Sequence, residues 1–267
     1  MIRPQRQAII TVCYHLPYPT ISTPFVWPVH GGRASSGSLI AGTVGDDSGD
    51  SISSKNDWYC ELTPMYWAWR NHPADFYGVM HYRRFLNLLE PIGRSDFIGD
   101  RSLAIESLGL DEHTVLDTMA RHDIVVPVKT NLQAAGMGQS VASQYESVHF
   151  ASDLKLCRDA IASISPEYIA AYDEVMHGHE ACFYNMFIMR ACLFNQYCTW
   201  LFGLLFSIET AMNLSTRDRY QQRAPAFLSE RLLNVFLNHR SKCGSLSCFE
   251  RQVVRVTEAG HFTALVD

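Results

Sequence analysis

Residues His81, Tyr82, Arg83 and Arg84 lie inside the stretch YGVMHYRRFL, with apolar residues on either side. Cationic and titratable side chains packed this closely are costly to bury unless an anion meets them. Arginine presents a planar fork of donors that matches phosphate oxygens, and it keeps its charge at any working pH. The stretch therefore reads as an anion site, with Arg83 or Arg84 on a phosphate and His81 assisting. The plainer alternative pairs one arginine with a buried carboxylate and leaves the other in water. A regular strand would point the two arginines to opposite faces, so that one of them reaches the ligand.

A second constellation is GDDSGDSISSKN, where Asp46, Asp47 and Asp50 share a Gly/Ser-rich loop with Lys55 and Asn56. Such a loop brings backbone N–H groups to a ligand while its carboxylates accept hydroxyl hydrogens from ribose or sugar. Asp47, Asp50 and Lys55 are the candidate contacts. Mn or Mg held by Asp46, Asp47 and Asp50 is the alternative, and capping of the following helix is a third reading. The DDSGD spacing resembles a calcium loop but lacks the downstream bidentate Glu. Glu61, in YCELTPMYW, either meets Arg83 or Arg84 or is solvated. Asn185, in YNMFIM, is a polar residue in an apolar run and needs partners, either sugar hydroxyls or a neighbouring backbone. His177, His179 and Glu180 have metal-ligand types, although a surface loop explains HGHE better.

These residues need elements to position them. Ala8 to Cys13 reads as a buried strand, followed by a long turn-rich segment from Pro17 to Ser54, of the kind that is usually functional. Trp58, Leu62, Met65, Tyr66 and Trp69 keep helical spacing, which predicts one helix through NDWYCELTPMYWAWRN with a local kink at Pro64. That helix ends near Asn71 to Pro73, and DFYGVM is the next strand, running into His81. Another strand is expected over Asp123 to Val128. Strand, loop, helix, strand is an α/β pattern with a largely parallel sheet, whose ligands sit beyond the carboxyl ends of the strands. Helices are expected near Asp153 to Ile164, Glu167 to Val175, Leu193 to Met212 and Phe227 to Leu237. The stripe Tyr197, Leu201, Leu204, Leu205, Ile208 and Met212 has the 3.6-residue period of a core face. In RAPAFLSERLLNVFL, Leu228, Leu232, Val235 and Phe236 share one helical face, with Glu230 and Asn234 opposite. CFERQVVRVT adds a last strand. No repeat or linker appears, so a single domain is expected.

Composition narrows the classes. The 267 residues are 47% hydrophobic and 12% aromatic, as in a globular chain with a sizeable core. A formal charge of −5 argues against a nucleic-acid partner, so any anion site is local. The eight cysteines are scattered, mostly in apolar or helical settings, as expected of reduced thiols in a cytosolic protein. Cys243 and Cys248 lie close in sequence, but no zinc quartet is visible. The opening MIRPQRQAIITVCYHLPYP reads as a first strand and not as a signal peptide. LFNQYCTWLFGLLFSIETAMNL is interrupted by Asn195, Gln196, Ser207 and Glu209, short of the roughly 20 uninterrupted apolar residues that span a bilayer. Peripheral membrane attachment stays open.

Taken together, GDDSGDSISSKNDWYCELTPMYWAWRN, YGVMHYRRFL, ACFYNMFIMR and APAFLSERLLNVFL resemble the DUF4422 family across Ile9 to Asn238. The family is similar to glycosyltransferases of the GT-A type found in capsular and exopolysaccharide clusters. The resemblance implies a GT-A-like (Rossmann-like) fold with a largely parallel central sheet and a helix-rich C-terminal half. The N-terminal nucleotide-sugar part would end near residue 130, and the acceptor side would follow. It implies transfer of a sugar, galactofuranose or galactose in some relatives, from a UDP-linked donor to a glycan or lipid-linked glycan of capsule, O-antigen or exopolysaccharide. The enzyme would work in the cytoplasm at the inner membrane face. In such enzymes a strand-end Asp-x-Asp normally holds a cation on the diphosphate. Here Arg83, Arg84 and His81 would serve instead, so that no metal is required. An inverting enzyme needs a carboxylate to take the acceptor proton. Glu230 is the candidate base, with Arg223 or Arg231 near the diphosphate, and His149, Tyr145 and Asn185 toward the acceptor. The chain departs from the family at Leu16, after His15, and at Ser51.

Two other classes compete. His81 and Arg84 satisfy the His-x-x-Arg spacing seen in phosphodiester strand transfer, but the acidic balance and the lack of a basic helix face oppose it. A non-catalytic carbohydrate-binding or assembly protein on the same fold would keep the aromatic surface and lack turnover.

Overall fold

The computed structural model describes residues 7–89, 95–97, 107–257 and 261–264. Its main sheet begins with β1 (Ala8–Tyr14), β2 (Val26–His30), β3 (Val44–Gly45) and β4 (Phe76–His81), which run parallel in the order β3-β2-β1-β4. Beyond β4 lies β10 (Phe187–Arg190), antiparallel to it and to β7 (Ile124–Pro127), which in turn pairs parallel with β11 (Cys248–Arg251). Only β10 is reversed in this run, so the core sheet is mostly parallel, as expected. At its end β4 turns through Tyr82 and Arg83 into β5 (Arg84–Leu86), with His81 paired to Arg84. From β5 an antiparallel ribbon continues through β12 (Val253–Val256) and β13 (His261–Ala264) to β6 (Ser95–Phe97). A separate small sheet joins β8 (Thr130–Asn131) and β9 (Glu180–Ala181).

Every residue of β1 is buried, because both faces of a parallel sheet are covered. The pleat sends Cys13, Tyr77, Val79, Phe187 and Met189 to one core, and Ile10, Val12, Phe76, Met80 and Ile188 to the other. A Cβ at Gly78 would come 3.2 Å from Phe187 O, so a larger residue there would crowd the neighbouring strand. On the first face pack α1 (Asn56–Tyr59), α2 (Leu62–Asn71), α4 (Val141–Val148), α5 (Ala151–Ile164), α6 (Ile169–His177), α7 (Ala191–Ile208) and α8 (Ala224–Cys243); α3 (Glu112–Arg121) contributes to the second.

The expected helix through residues 56–71 is broken. Cys60 adopts a positive φ of 45°, which ends α1 and lets α2 start afresh after Glu61. Pro64 then falls in the first turn of α2, where its missing N–H removes no helical bond, so the kink expected at Pro64 is replaced by a break before it. The stripe on α7 is core as predicted, Tyr197, Leu201, Leu204, Leu205 and Ile208 all being buried, with Met212 just beyond. By length and hydropathy α7 is the candidate membrane span among the described residues, and half of it is buried inside the protein. On α8 the polar face is not solvated. Asn234 is buried, with Oδ1 accepting from Cys182 N and Nδ2 donating to Cys182 O, both at 2.8 Å. The supposed outer face of α8 thus clasps the loop leading into β10.

Candidate active site

A cleft of about 770 Å³ opens at the carboxyl ends of β1, β2 and β4, the place where open α/β sheets bind ligands. The end of β1 supplies Cys13, Tyr14 and His15, and the end of β2 supplies His30, Gly31 and Gly32. The β4–β5 turn supplies His81 to Arg84. From the opposite wall come Arg219, Tyr220 and Arg223, then Phe227 and Glu230 of α8, while Asp57, Cys60 and Glu61 line the break between α1 and α2.

The cationic turn is a tight hairpin instead of a continuous strand, so both Arg83 and Arg84 line the cleft, against the expectation that one would. Neither forms an ion pair among the described residues. Arg83 lies 4.8 Å over the Tyr82 ring and Arg84 lies 4.9 Å over the Tyr184 ring, with its buried Nε unpartnered. Arg223 Nε donates to Cys60 Sγ at 3.1 Å, and its guanidinium stacks over Phe227. The expected Glu61–arginine pair is absent: Glu61 Oε1 accepts from Asn185 Nδ2 at 2.6 Å.

His81 Nε2 lies 2.6 Å from Tyr184 O. A carbonyl can only accept, so Nε2 carries the proton and Nδ1 is the bare nitrogen of the neutral ring. Burial lowers the His81 pKa, and the charge of Glu61 and the bond to the Tyr184 carbonyl oppose this. His15 is likewise lowered, by burial first and then by Arg223 and Arg83. Glu230 is held by Tyr184 N on Oε1 (3.0 Å) and by Arg231 Nη1 on Oε2 (2.6 Å). Burial raises its pKa, Arg231 opposes that shift, and the charge of Glu61 adds to it.

The acidic loop is used for construction. Asp46 is fully buried: its oxygens accept from Gly32 N and Arg33 N at 3.1 Å, from Thr63 Oγ1 at 2.6 Å and from Ser53 Oγ. It therefore closes the turn after β2, not the helix that follows it. Gly32 needs its φ of 79° there, and a Cβ would stand 2.7 Å from the Asn56 side chain. Asp50 binds Arg70 at 2.7 Å and Tyr66 at 3.0 Å, and Asp47 is exposed. Lys55 pairs with Glu209 at 2.6 Å, tying the loop to the end of α7. Asp47, Asp50 and Lys55 all lie outside the cleft lining. Among the described residues no three of Asp, Glu, His and Cys converge as metal ligands, so neither the Asp46–Asp47–Asp50 set nor HGHE is arranged to hold a cation.

Arg231 also stands behind the wall. It is 3% exposed, bonded to Glu230, Phe227 O and Gln144, and sandwiched 5.2 Å from both the Tyr145 and Phe183 rings. Tyr145 is buried, and its hydroxyl donates to Asp153 at 3.2 Å, while Asp153 takes two bonds from Arg217. His149 stacks on Phe227 at 4.1 Å with Nδ1 3.2 Å from Gln221 Oε1, supporting the wall from outside. Asn185 is 2% exposed and lies beneath Glu61. Sequence reasoning passed over His30, Gly31, Gly32, Arg219, Tyr220 and the backbone of Tyr184. The signal for the first group was the Gly-Gly pair directly after the strand VWPVH.

The family described as Domain of unknown function (DUF4422) matches residues 9–241. No curated protein matches the chain. Among solved structures, that of the WbbM bifunctional glycosyltransferase in its apo form is similar, with a TM-score of 0.86 and 31% identity over 93% of this chain. The chain spans 45% of the length of that protein.

Proposed function

We propose that this chain, which belongs to the DUF4422 family, is a glycosyltransferase that moves a sugar from a nucleotide-sugar donor to a glycan acceptor. The observation that carries this reading is the cleft itself. It lies at the carboxyl edge of a parallel sheet and is lined by Arg83, Arg84, Arg219 and Arg223, in a chain whose overall charge is negative. The fold it shares with the WbbM bifunctional glycosyltransferase supports the same reading.

The donor is a UDP-sugar, with galactose or galactofuranose as the sugar, and the acceptor is a glycan or lipid-linked glycan of capsule, O-antigen or exopolysaccharide. Transfer takes place at the cytoplasmic membrane face and inverts the anomeric centre. The β4–β5 arginines and the pair Arg219 and Arg223 grip the diphosphate from two sides. Their fixed charges meet the negative charge that grows on the leaving phosphate. His81, neutral at working pH, donates through Nε2 to Tyr184 O and so braces the base of the cleft. Because the acidic loop does not gather its carboxylates, the arginines take the electrostatic role that Mn or Mg would have. Asp57, Glu61 and Glu230 are the carboxylates that line the cleft, and proton transfer falls to one of them.

The test is release of UDP from UDP-galactose and UDP-galactofuranose. Release above the enzyme-free background, raised by an added glycan acceptor, is the expected result. Binding of UDP-sugars with no turnover would make the chain a non-catalytic binder, and absence of both would remove the reading.

A further inference from the structure

Three carboxylates line the cleft; Asp57 is exposed on α1, and the other two are held differently. Glu230 has both oxygens engaged, by Tyr184 N and by Arg231. Glu61 has Oε1 engaged by Asn185, and its Oε2 meets no donor or cation among the described residues. Glu61 also sits where its charge is felt by His15, His81, Arg223 and Glu230 together, which puts it at the centre of the cluster.

What holds this cluster is one turn. Tyr184 and Asn185 have φ of 76° and 51°, a left-handed pair without glycine. Such a backbone is unfavourable for non-glycine residues and persists only where surroundings over-determine it. The surroundings here are side chains that line the cleft. Tyr184 N donates to Glu230, Tyr184 O accepts from His81, and Asn185 Nδ2 donates to Glu61 and, at 3.1 Å, to Ala226 O. Asn234 anchors Cys182, two residues before Tyr184, through both backbone groups, which ties the turn to α8.

We infer that Glu61 is the base of the transfer step, and that the Tyr184–Asn185 turn is the positioning element that aims it. This rests on the glycosyltransferase reading above. In the step, Glu61 Oε2 takes the proton of the acceptor hydroxyl, and the hydroxyl oxygen forms a bond to the anomeric carbon of the donor sugar. The bond from that carbon to the diphosphate oxygen breaks, and its electron pair leaves with the diphosphate. Glu230 stays paired with Arg231 and fixes the turn from below.

The test uses the full chain and whichever of UDP-galactose or UDP-galactofuranose it turns over, with UDP binding followed separately by calorimetry. Glu61→Gln is expected to lower kcat by about 10²–10⁴-fold, with UDP affinity within about threefold of the parent. Asn185→Gly removes the carboxamide but leaves a residue at ease with positive φ, and kcat is expected to fall by about tenfold. In the Glu61→Gln background Asn185→Gly is expected to lower kcat no further, because Asn185 acts through Glu61. A merely structural asparagine would give additive losses, and that result overturns the positioning role. If Asn185→Gly does not fold, Glu61→Gln decides the assignment of the base. A Glu61→Gln enzyme near parental kcat, beside a Glu230→Gln enzyme that has lost about 10²-fold or more, makes Glu230 the base and overturns the inference while the transferase reading stands. A parent chain that binds UDP and turns over neither donor overturns that reading and this inference with it.

Discussion

Replacing Arg84 with methionine is the perturbation from which most can be worked out. Methionine keeps an unbranched apolar stem, and the backbone pairing of His81 with Arg84 does not depend on the side chain. The folded chain loses the contact of the guanidinium with the Tyr184 ring, 4.9 Å away, worth about 0.5–1 kcal/mol. Binding should lose more. Arg84 forms no ion pair among the described residues, and its Nε is buried without a partner, so the unbound site leaves this cation uncompensated. A charge-assisted hydrogen bond contributes about 1.5–3 kcal/mol, which converts to a roughly 10- to 150-fold weaker Kd for UDP. Arg84→Lys should recover part of that loss, since it restores the charge but not the planar fork. Isothermal titration of UDP into the three proteins, at two salt concentrations, provides the measurement. A Kd for Arg84→Met within about twofold of the parent, in a protein that still melts cooperatively, would refute the arginine-based phosphate site.

Other consequences are open to measurement. Arg217→Ala leaves Asp153 buried without its bidentate partner, whose contacts are 2.6 and 2.7 Å, and should cost about 3–5 kcal/mol. Thermal denaturation should then show Tm lower by roughly 6–20 °C, and a fall of less than about 2 °C would contradict the structural role of this pair. Burial lowers the pKa of His81, His15, His30, His72 and His149. As pH drops below the unfolded histidine value near 6.5, the unfolded chain takes up protons first. Stability is therefore present above that pH and is lost as pH falls through the lower folded values. Urea denaturation should give a midpoint that declines from about pH 7 to about pH 5, with a shallower decline in His81→Gln; equal slopes in the two proteins would contradict the account. Stabilisation of the chain by UDP should survive a chelator, and its disappearance in EDTA, restored by Mn, would return the diphosphate to a metal.

The parts of the fold that were legible in the sequence are those specified locally. The strand in AIITVC, the strand running into His81 and the core stripe on α7 each announce themselves through period and β-branched content. The break at Cys60 was not legible, because nothing in NDWYCELTP marks a non-glycine residue at positive φ. The candidate site was readable at the β4–β5 turn, where cations interrupt an apolar run, and unreadable where residues far apart in the chain meet. Glu61 finds Asn185 across 124 positions, Lys55 finds Glu209 across 154, and Arg223 finds Cys60 across 163. These pairs decide which charged groups face the cleft and which hold its walls. Composition and spacing could not separate Lys55, spent on Glu209, from Arg84, which forms no ion pair among the described residues.

The most direct test of the central claim is a crystal structure with UDP bound. The account predicts a diphosphate at the carboxyl ends of β1, β2 and β4, with guanidinium nitrogens from both the β4–β5 turn and the Arg219–Arg223 wall at hydrogen-bonding distance. UDP seated elsewhere, or in the cleft with those arginines turned away from its phosphates, would contradict it.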